Sequence, residues 1–239
     1  MNTVSATQTA SRTAGIPAAR KPHLLPLIFY AAAYVFLILT FHRLYHLTPI
    51  YNQTVSGFIK LGSYCLLGIL GIVLFRDLYA AGLREWKAHP LKNLGLLTGC
   101  FLAVQISDMI VAPFAMAMGY ESMNQNNAEI ILNQFPALLT ILGMGVLGPV
   151  TEETIFRFTM VVRGKEKFPV WLCIIVSSVV FMLLHTHAFT LNEVISCLPQ
   201  LTTGLILAVL VVKCKNPTIP VLVHILNNVI ALAPAALNK

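Results

Sequence analysis

Long apolar runs, separated by short polar connections, make up most of the chain after its first two dozen residues. A helix needs roughly 20 residues to cross the hydrocarbon core of a bilayer, and most of these runs approach that length. Helix is the required conformation because lipid offers no partners to an open backbone, and the runs lack the alternation of barrel strands. The pattern therefore predicts an all-α polytopic transmembrane helix bundle with about seven spanning helices. The predicted spans are 24–41, 57–75, 94–119, about 138–163, 168–188, 198–212 and 217–236.

The composition supports this fold class. Of the 239 residues, 57% are hydrophobic and only 10% are charged, and the mean hydropathy is +0.77. A soluble domain carries roughly 25% charged residues, so a soluble globular enzyme and a disordered protein are excluded. Basic cytoplasmic loops, rather than a nucleic-acid partner, account for the net charge of +7. The five cysteines show no CxxC or zinc-type spacing, and we expect them to be apolar packing residues.

Lysine and arginine residues fall mainly on one side of the predicted bundle. If the seven spans alternate in direction, this side contains the basic segments 1–23, 76–93, 164–167 and 213–216. Cytoplasmic loops of membrane proteins are enriched in Lys and Arg, so the N-terminus is predicted to be cytoplasmic. One of these segments, residues 76–92, has the pattern of an interfacial amphipathic helix. A solvated loop anchored by a tryptophan is the alternative for this segment.

The most informative polar residues lie inside the fourth predicted span. Glu152, Glu153 and Arg157 follow one another within six residues, with apolar sequence on both sides. Each charge costs roughly 2.5–3.5 kcal/mol at the bilayer centre, so such side chains should pair, contact water or take part in chemistry. Glu153 and Arg157 are spaced i,i+4 with the acid first, which predicts an ion pair. Glu152 lies about 100° around the helix axis from Glu153 and has no obvious intrahelical partner.

Polar side chains in other predicted spans lie at similar depths. Phe181 and His185 share one helix face, and His224 and Asn228 are i,i+4 neighbours, with Asn227 as a possible substitute for Asn228. Residues at one depth on three helices can form a single site in the membrane. Gln105 and Asp108 in the third predicted span lack a comparable pattern and are interpreted as structural polar packing.

Two kinds of hydrolytic chemistry suit this set of residues. Glu152 and His185 can hold and deprotonate a water, while His224 and Asn228 can donate hydrogen bonds to the resulting oxyanion. Direct attack by water is the simpler interpretation because no Ser or Cys nucleophile motif accompanies these groups. Alternatively, Glu, His and His can bind a zinc ion that activates the water. Without an HExxH motif, such ligands would have to come from three separate helices.

Three short patterns occur in order, each within a predicted transmembrane helix: Glu152-Glu153-x-x-x-Arg157, Phe181-x-x-x-His185 and His224-x-x-x-Asn228. They resemble the three ordered motifs of the CPBP family of CAAX proteases and bacteriocin-processing enzymes, also called Abi proteins or type II CAAX prenyl endopeptidases. The resemblance covers roughly residues 135–236. It implies a helical membrane bundle with a glutamate-dependent protease site in a cavity that opens toward the cytosol.

The resemblance also implies roles for individual residues. Glu152 would be the water-activating base assisted by His185, and His224 with Asn228 would stabilise the oxyanion. Supporting roles would belong to Glu153, Arg157 and Phe181. We therefore expect 1–23 to be a disordered cytoplasmic tail, 24–130 to form N-terminal transmembrane helices, and 131–239 to form a CPBP-like catalytic core.

The predicted function is that of an intramembrane endopeptidase acting on a membrane-associated or lipidated peptide or protein. Its partners would be membrane lipid and a peptide substrate such as a bacteriocin or pheromone precursor, with no nucleic acid. No cofactor is expected, although a zinc-dependent version of the protease is an alternative. A bacteriocin self-immunity or binding protein of the same family is a second alternative. The protein is expected to be a multi-pass protein of a bacterial cell membrane.

Overall fold

The computed structural model describes residues 23–118, 123–186, 190–214 and 216–237. Within these residues the chain forms ten helices and no strand, which confirms the all-α prediction. The helices are α1 (Leu24–His46), α2 (Gln53–Leu74), α3 (Arg76–Ala88), α4 (Pro90–Ala117), α5 (Met123–Gln134), α6 (Ala137–Glu166), α7 (Val170–Leu183), α8 (Leu191–Ser196), α9 (Leu198–Cys214) and α10 (Thr218–Leu237). The predicted N-terminal tail lies outside the described residues, apart from His23.

Each of the seven predicted spans contains a helix, and four of these helices are long enough to cross a membrane. Among the described helices, α1, α2, α4 and α6 are long and apolar enough to cross a membrane. Three further helices are apolar but shorter: α7 with 14 residues, α9 with 17, and Thr218–Pro234 within α10. The arrangement is that of a polytopic membrane protein. The predicted division of the bundle between residues 130 and 131 stays a prediction.

Helix α6 lies at the centre of the bundle. In its most apolar stretch 67% of the residues are buried, against 6% in α4. One cluster of buried side chains joins α6 to α1, α2 and α7, and a second cluster joins α4 to α9 and α10. Large apolar side chains such as Ile69 of α2 and Met109 of α4 point outward and are exposed, as expected of surfaces that lipid covers. The central helix therefore carries its polar residues away from lipid.

Helix α7 ends five residues before the predicted limit of 188. The ring of His185 makes a 2.7 Å hydrogen bond from Nδ1 to the carbonyl oxygen of Phe181. That carbonyl is the acceptor that the amide of residue 185 would use in an α-helix. The amide bonds instead to the carbonyl of Met182, one residue closer, at 2.9 Å. The side chain of His185 therefore competes with the helix and contributes to its early end.

The basic segment after α2 is helical, and the alternative of a solvated loop is wrong. Helix α3 buries Leu78 on one face, while Arg84 is exposed. The hydroxyl of Tyr79 shares a 2.6 Å hydrogen bond with Oγ1 of Thr154 in α6, and burial raises the pKa of Tyr79. The indole of Trp86 donates to Oγ1 of Thr218 at 3.0 Å. These bonds attach α3 to α6 and to the start of α10.

Close packing between α2 and α6 depends on Gly68. A Cβ atom added at Gly68 would lie 2.5 Å from Cβ and 2.8 Å from the backbone oxygen of Leu147. Because a backbone atom cannot move aside cheaply, we expect Gly68→Ala to cost about 1–3 kcal/mol of stability. Gly62→Ala in the same helix is the matched control, since nothing lies within 4 Å of its added Cβ. Thermal unfolding of the purified protein in detergent would measure both; equal unfolding temperatures would contradict the predicted contact.

Candidate active site

The two adjacent acids lie on a short α-helical stretch between two π-helical segments of α6. The stretch is Gly148–Glu153, and the segments are Ile141–Leu147 and Thr154–Arg163. Pro149 stands at its first turn and has no amide to continue the usual helical bonding. Wider π-type turns are rare and concentrate at functional sites, where they redirect side chains and free carbonyl groups.

Glu153 forms the ion pair that its spacing predicts. Nη1 of Arg157 lies 3.2 Å from Oε1 of Glu153, and both side chains are 1% exposed. The guanidinium also stacks on Phe181 of α7, with Cζ 4.3 Å from the ring centroid. Its Nη2 donates to the carbonyl of Gly204 in α9 at 3.5 Å. Arg157 therefore joins α6, α7 and α9 from inside the bundle.

His224 of α10 lies between the two carboxylates. Its Nδ1 is 2.8 Å from Oε1 of Glu153, within hydrogen-bond distance. Its Nε2 is 3.7 Å from Oε2 of Glu152, which is too long for a direct hydrogen bond. Because a carboxylate accepts, Nδ1 carries a hydrogen in this arrangement. Glu152 also accepts a 3.4 Å hydrogen bond at Oε1 from the hydroxyl of Tyr34.

His185 lies beside this cluster without a hydrogen bond to Glu152 in the described structure. Its ring packs edge-on against Phe181, with centroids 4.7 Å apart. Phe181 also contacts the ring of His224, at 5.7 Å. Because Nδ1 of His185 donates to the backbone of Phe181, its Nε2 carries the lone pair. His187, the other histidine of this segment, lies outside the described residues.

Asn228 lies one helical turn beyond His224 and bonds to α6. Its Nδ2 donates to the carbonyl of Met144 at 3.2 Å. Met144 belongs to the π-helical segment before the two acids. One of the two amide hydrogens of Asn228 is used in this bond, and the second is left for another acceptor.

A cavity of about 760 Å³ connects these residues with the protein surface. Its buried base includes Glu152 and His224, which are 5% and 4% exposed. His185 and Asn228 also line it, whereas the exposed side chain of Leu47 lies at its rim. Glu153 and Arg157 lie behind the cavity wall and are absent from the described lining. The cavity therefore gives water and a substrate access to Glu152 but leaves the ion pair dry.

Residues from the first helices complete the cavity and were missed by the sequence analysis. Tyr34 of α1 and Lys60 and Tyr64 of α2 line the cavity near Glu152. Lys60 lies two turns inside α2, although its place in the sequence indicates a position near the end of a span. The signal was present, because Lys60 and Tyr64 are i,i+4 neighbours within an apolar run. Asp108 of α4 also lines the cavity.

Metal binding was the open alternative for this site. In the part of the chain that the structure describes, no three His, Cys, Asp or Glu side chains are grouped so that they could hold a metal ion. Both ring nitrogens of His224 face carboxylates, and Nδ1 of His185 is bonded to backbone. The cofactor requirement stays a prediction.

The segment of the chain that contains the predicted site residues matches a known protein family. Residues 134–230 match a protein-family model described as "Type II CAAX prenyl endopeptidase Rce1-like". No curated protein and no solved structure matches the chain significantly. The matched segment contains all seven site residues predicted from the sequence and begins just before α6. Residues 134–230 therefore match the Rce1-like type II CAAX prenyl endopeptidases, which are a family of proteases.

Proposed function

We propose that the protein is an intramembrane endopeptidase that hydrolyses a peptide bond by direct attack of water. The observation that carries this proposal is the position of Glu152, a buried carboxylate of a spanning helix that lines an open cavity beside two histidines. Such a site can bring water, a base and hydrogen-bond donors to a peptide that lies at the membrane. The site supports a membrane-associated peptide or protein as the substrate, lipidated or not.

In the first step, Glu152 acts as the general base. A water held between Glu152 and Nε2 of His185 loses a proton to the carboxylate while its oxygen attacks the carbonyl carbon. The lone pair on Nε2 of His185 accepts a hydrogen bond from the same water and orients it, because Nδ1 is fixed by Phe181. The product is a tetrahedral intermediate with a negatively charged oxygen.

His224 and Asn228 stabilise this oxyanion. Because Nδ1 of His224 already donates to Glu153, the ring donates from Nε2 only when both nitrogens carry hydrogens. A carboxylate lies on either side of the ring, and Arg157 pairs with that of Glu153. The unused amide hydrogen of Asn228 is the second donor. Preorganised hydrogen-bond donors stabilise an oxyanion more strongly in a site that excludes bulk water than they do in water.

In the second step, the tetrahedral intermediate collapses. The bond between carbon and nitrogen breaks, and the proton held by Glu152 passes to the leaving nitrogen. The products are a carboxylic acid and an amine, and Glu152 is again ionised. In this scheme water, rather than a protein side chain, attacks the carbonyl carbon, and the described cavity lining contains no serine or cysteine.

Hydrolysis can be tested with purified full-length protein and a panel of lipidated and unlipidated peptides, including precursors of secreted peptides. We expect mass spectrometry to find a cut at one defined bond of the accepted peptides. Because Glu152 and His185 activate the water in this proposal, the cut should persist in excess chelator. Loss of cleavage in chelator followed by rescue with zinc would contradict the metal-free mechanism, and no cleavage of any peptide by folded protein would contradict the proposed activity.

A further inference from the structure

The cavity opens at one end of the helix bundle. Its outer lining includes Leu47, in the connection between α1 and α2, and Gln53, the first residue of α2. It also comes from Thr186, just beyond the end of α7, and from Gln200 in the first turn of α9. Leu232, in the last turns of α10, lines the same region. The ends of four membrane helices, α2, α7, α9 and α10, thus lie at the cavity rim.

The opposite ends of the same four helices are basic. Helix α2 runs from Gln53 to the junction with Arg76, and α9 carries Gln200 in its first turn and Lys213 in its last. Helix α7 follows the last turn of α6, which carries Lys165, and α10 begins shortly after Lys213. The described lysines and arginines at this end are Arg76, Arg84, Lys87, Lys92, Arg163, Lys165, Lys167 and Lys213. In the described cavity lining, Lys60 is the one lysine or arginine.

Contacts between connections show that the basic end is one continuous region. Nδ2 of Asn216, between α9 and α10, donates to the carbonyl of Gly82 in α3 at 3.2 Å. Trp86 of α3 bonds to Thr218 at the start of α10, as described above. The basic helix α3 therefore packs against the connection that follows Lys213, at the end of the bundle away from the cavity rim.

We infer that the cavity opens on the side of the membrane away from the cytoplasm. Lysine and arginine near the ends of membrane spans are retained on the cytoplasmic side, and the bias sets the orientation of the whole chain. The basic end then lies in the cytoplasm and the cavity rim outside it. This is the reverse of the cytosolic opening that the family resemblance implies.

This orientation defines the class of substrate, and that definition rests on the proposed function. A peptide bond can enter the cavity only from the extracytoplasmic side or from the outer part of the bilayer. The substrates are therefore secreted peptides, or segments of membrane proteins exposed outside the cytoplasm. A peptide confined to the cytoplasm, lipidated or not, does not reach Glu152.

Cysteine labelling of the full-length protein in intact cells tests the orientation. The five native cysteines are replaced by serine, and one cysteine is introduced by Gln53→Cys at the rim or by Lys165→Cys at the basic end. Both positions are exposed in the structure. A membrane-impermeant maleimide should label Gln53→Cys in intact cells and Lys165→Cys only after the membrane is permeabilised. The reverse pattern, or labelling of both positions in intact cells, would overturn the inference.

A fusion reporter gives a second measurement that keeps the native cysteines. Helix α10 runs toward the cavity end, so a protein attached after the C-terminus should lie outside the cytoplasm. We expect an alkaline phosphatase fusion to be active and a green fluorescent protein fusion to be dark; the opposite result would overturn the inference. Neither readout requires catalysis. A labelling or fusion result that contradicts the orientation therefore does not contradict peptide hydrolysis. Likewise, a failure to detect hydrolysis does not contradict the orientation.

Discussion

Glu152→Gln is expected to abolish peptide hydrolysis while leaving the protein folded. Loss of a general base lowers kcat by about 10²- to 10⁴-fold. Glutamine keeps the shape of the side chain and an oxygen that accepts from Tyr34, whose hydroxyl lies 3.4 Å from Oε1. The bundle should therefore unfold at nearly the wild-type temperature in detergent. The rate of peptide cleavage and the unfolding temperature together measure the effect.

Asp108→Asn is the matched control because it removes another carboxylate of the same cavity. Asp108 lines the cavity wall on α4, and no described contact joins it to Glu152, His185 or His224. We expect it to reduce kcat/KM much less than Glu152→Gln does. Equal losses in the two variants would show that cavity charge matters rather than a specific base. Wild-type turnover by Glu152→Gln would remove Glu152 from the mechanism.

The sequence was sufficient to predict the helices and the polar cluster at the centre of the bundle. Charged side chains in an apolar run must find partners, so Glu153 and Arg157 could be paired from their spacing alone. The position of His224 between the two acids could not be derived in this way. That contact joins residues 71 positions apart and depends on how α10 packs against α6. Spacing within one helix carries no information about the packing of two helices.

Two further features depended on three-dimensional packing. Tyr34 and Lys60 reach the cavity because α1 and α2 pack beside α6, whereas the resemblance covers only the later part of the chain. The end of α7 is set by a hydrogen bond from the ring of His185 to its own helix, which hydropathy does not detect. A hydropathy pattern locates apolar segments but not the polar bonds that end them.

Breaking the central ion pair is expected to have the largest effect on stability. Removing one partner of a buried ion pair leaves an uncompensated charge and costs about 3–5 kcal/mol, so Arg157→Met should unfold far below the wild-type temperature. Arg163→Met is the matched control, because Arg163 pairs with Glu166 at the partly exposed end of the same helix, 3.1 Å away. A pair exposed to solvent is worth about 0–1 kcal/mol. Equal effects of the two substitutions would contradict the structural role of Arg157.

The double variant Glu153→Gln with Arg157→Met separates stability from catalysis. Removing both charges leaves no unpaired ion, so the double variant should be more stable than Arg157→Met alone. It should nevertheless cleave no peptide, because Nδ1 of His224 then lacks the carboxylate that accepts its 2.8 Å hydrogen bond and fixes the orientation of the ring. Unfolding temperatures and cleavage rates of Glu153→Gln, Arg157→Met and the double variant test both parts. Recovered activity in the double variant would show that Glu153 serves packing alone, whereas stability below either single variant would show that the two charges do not stabilise each other.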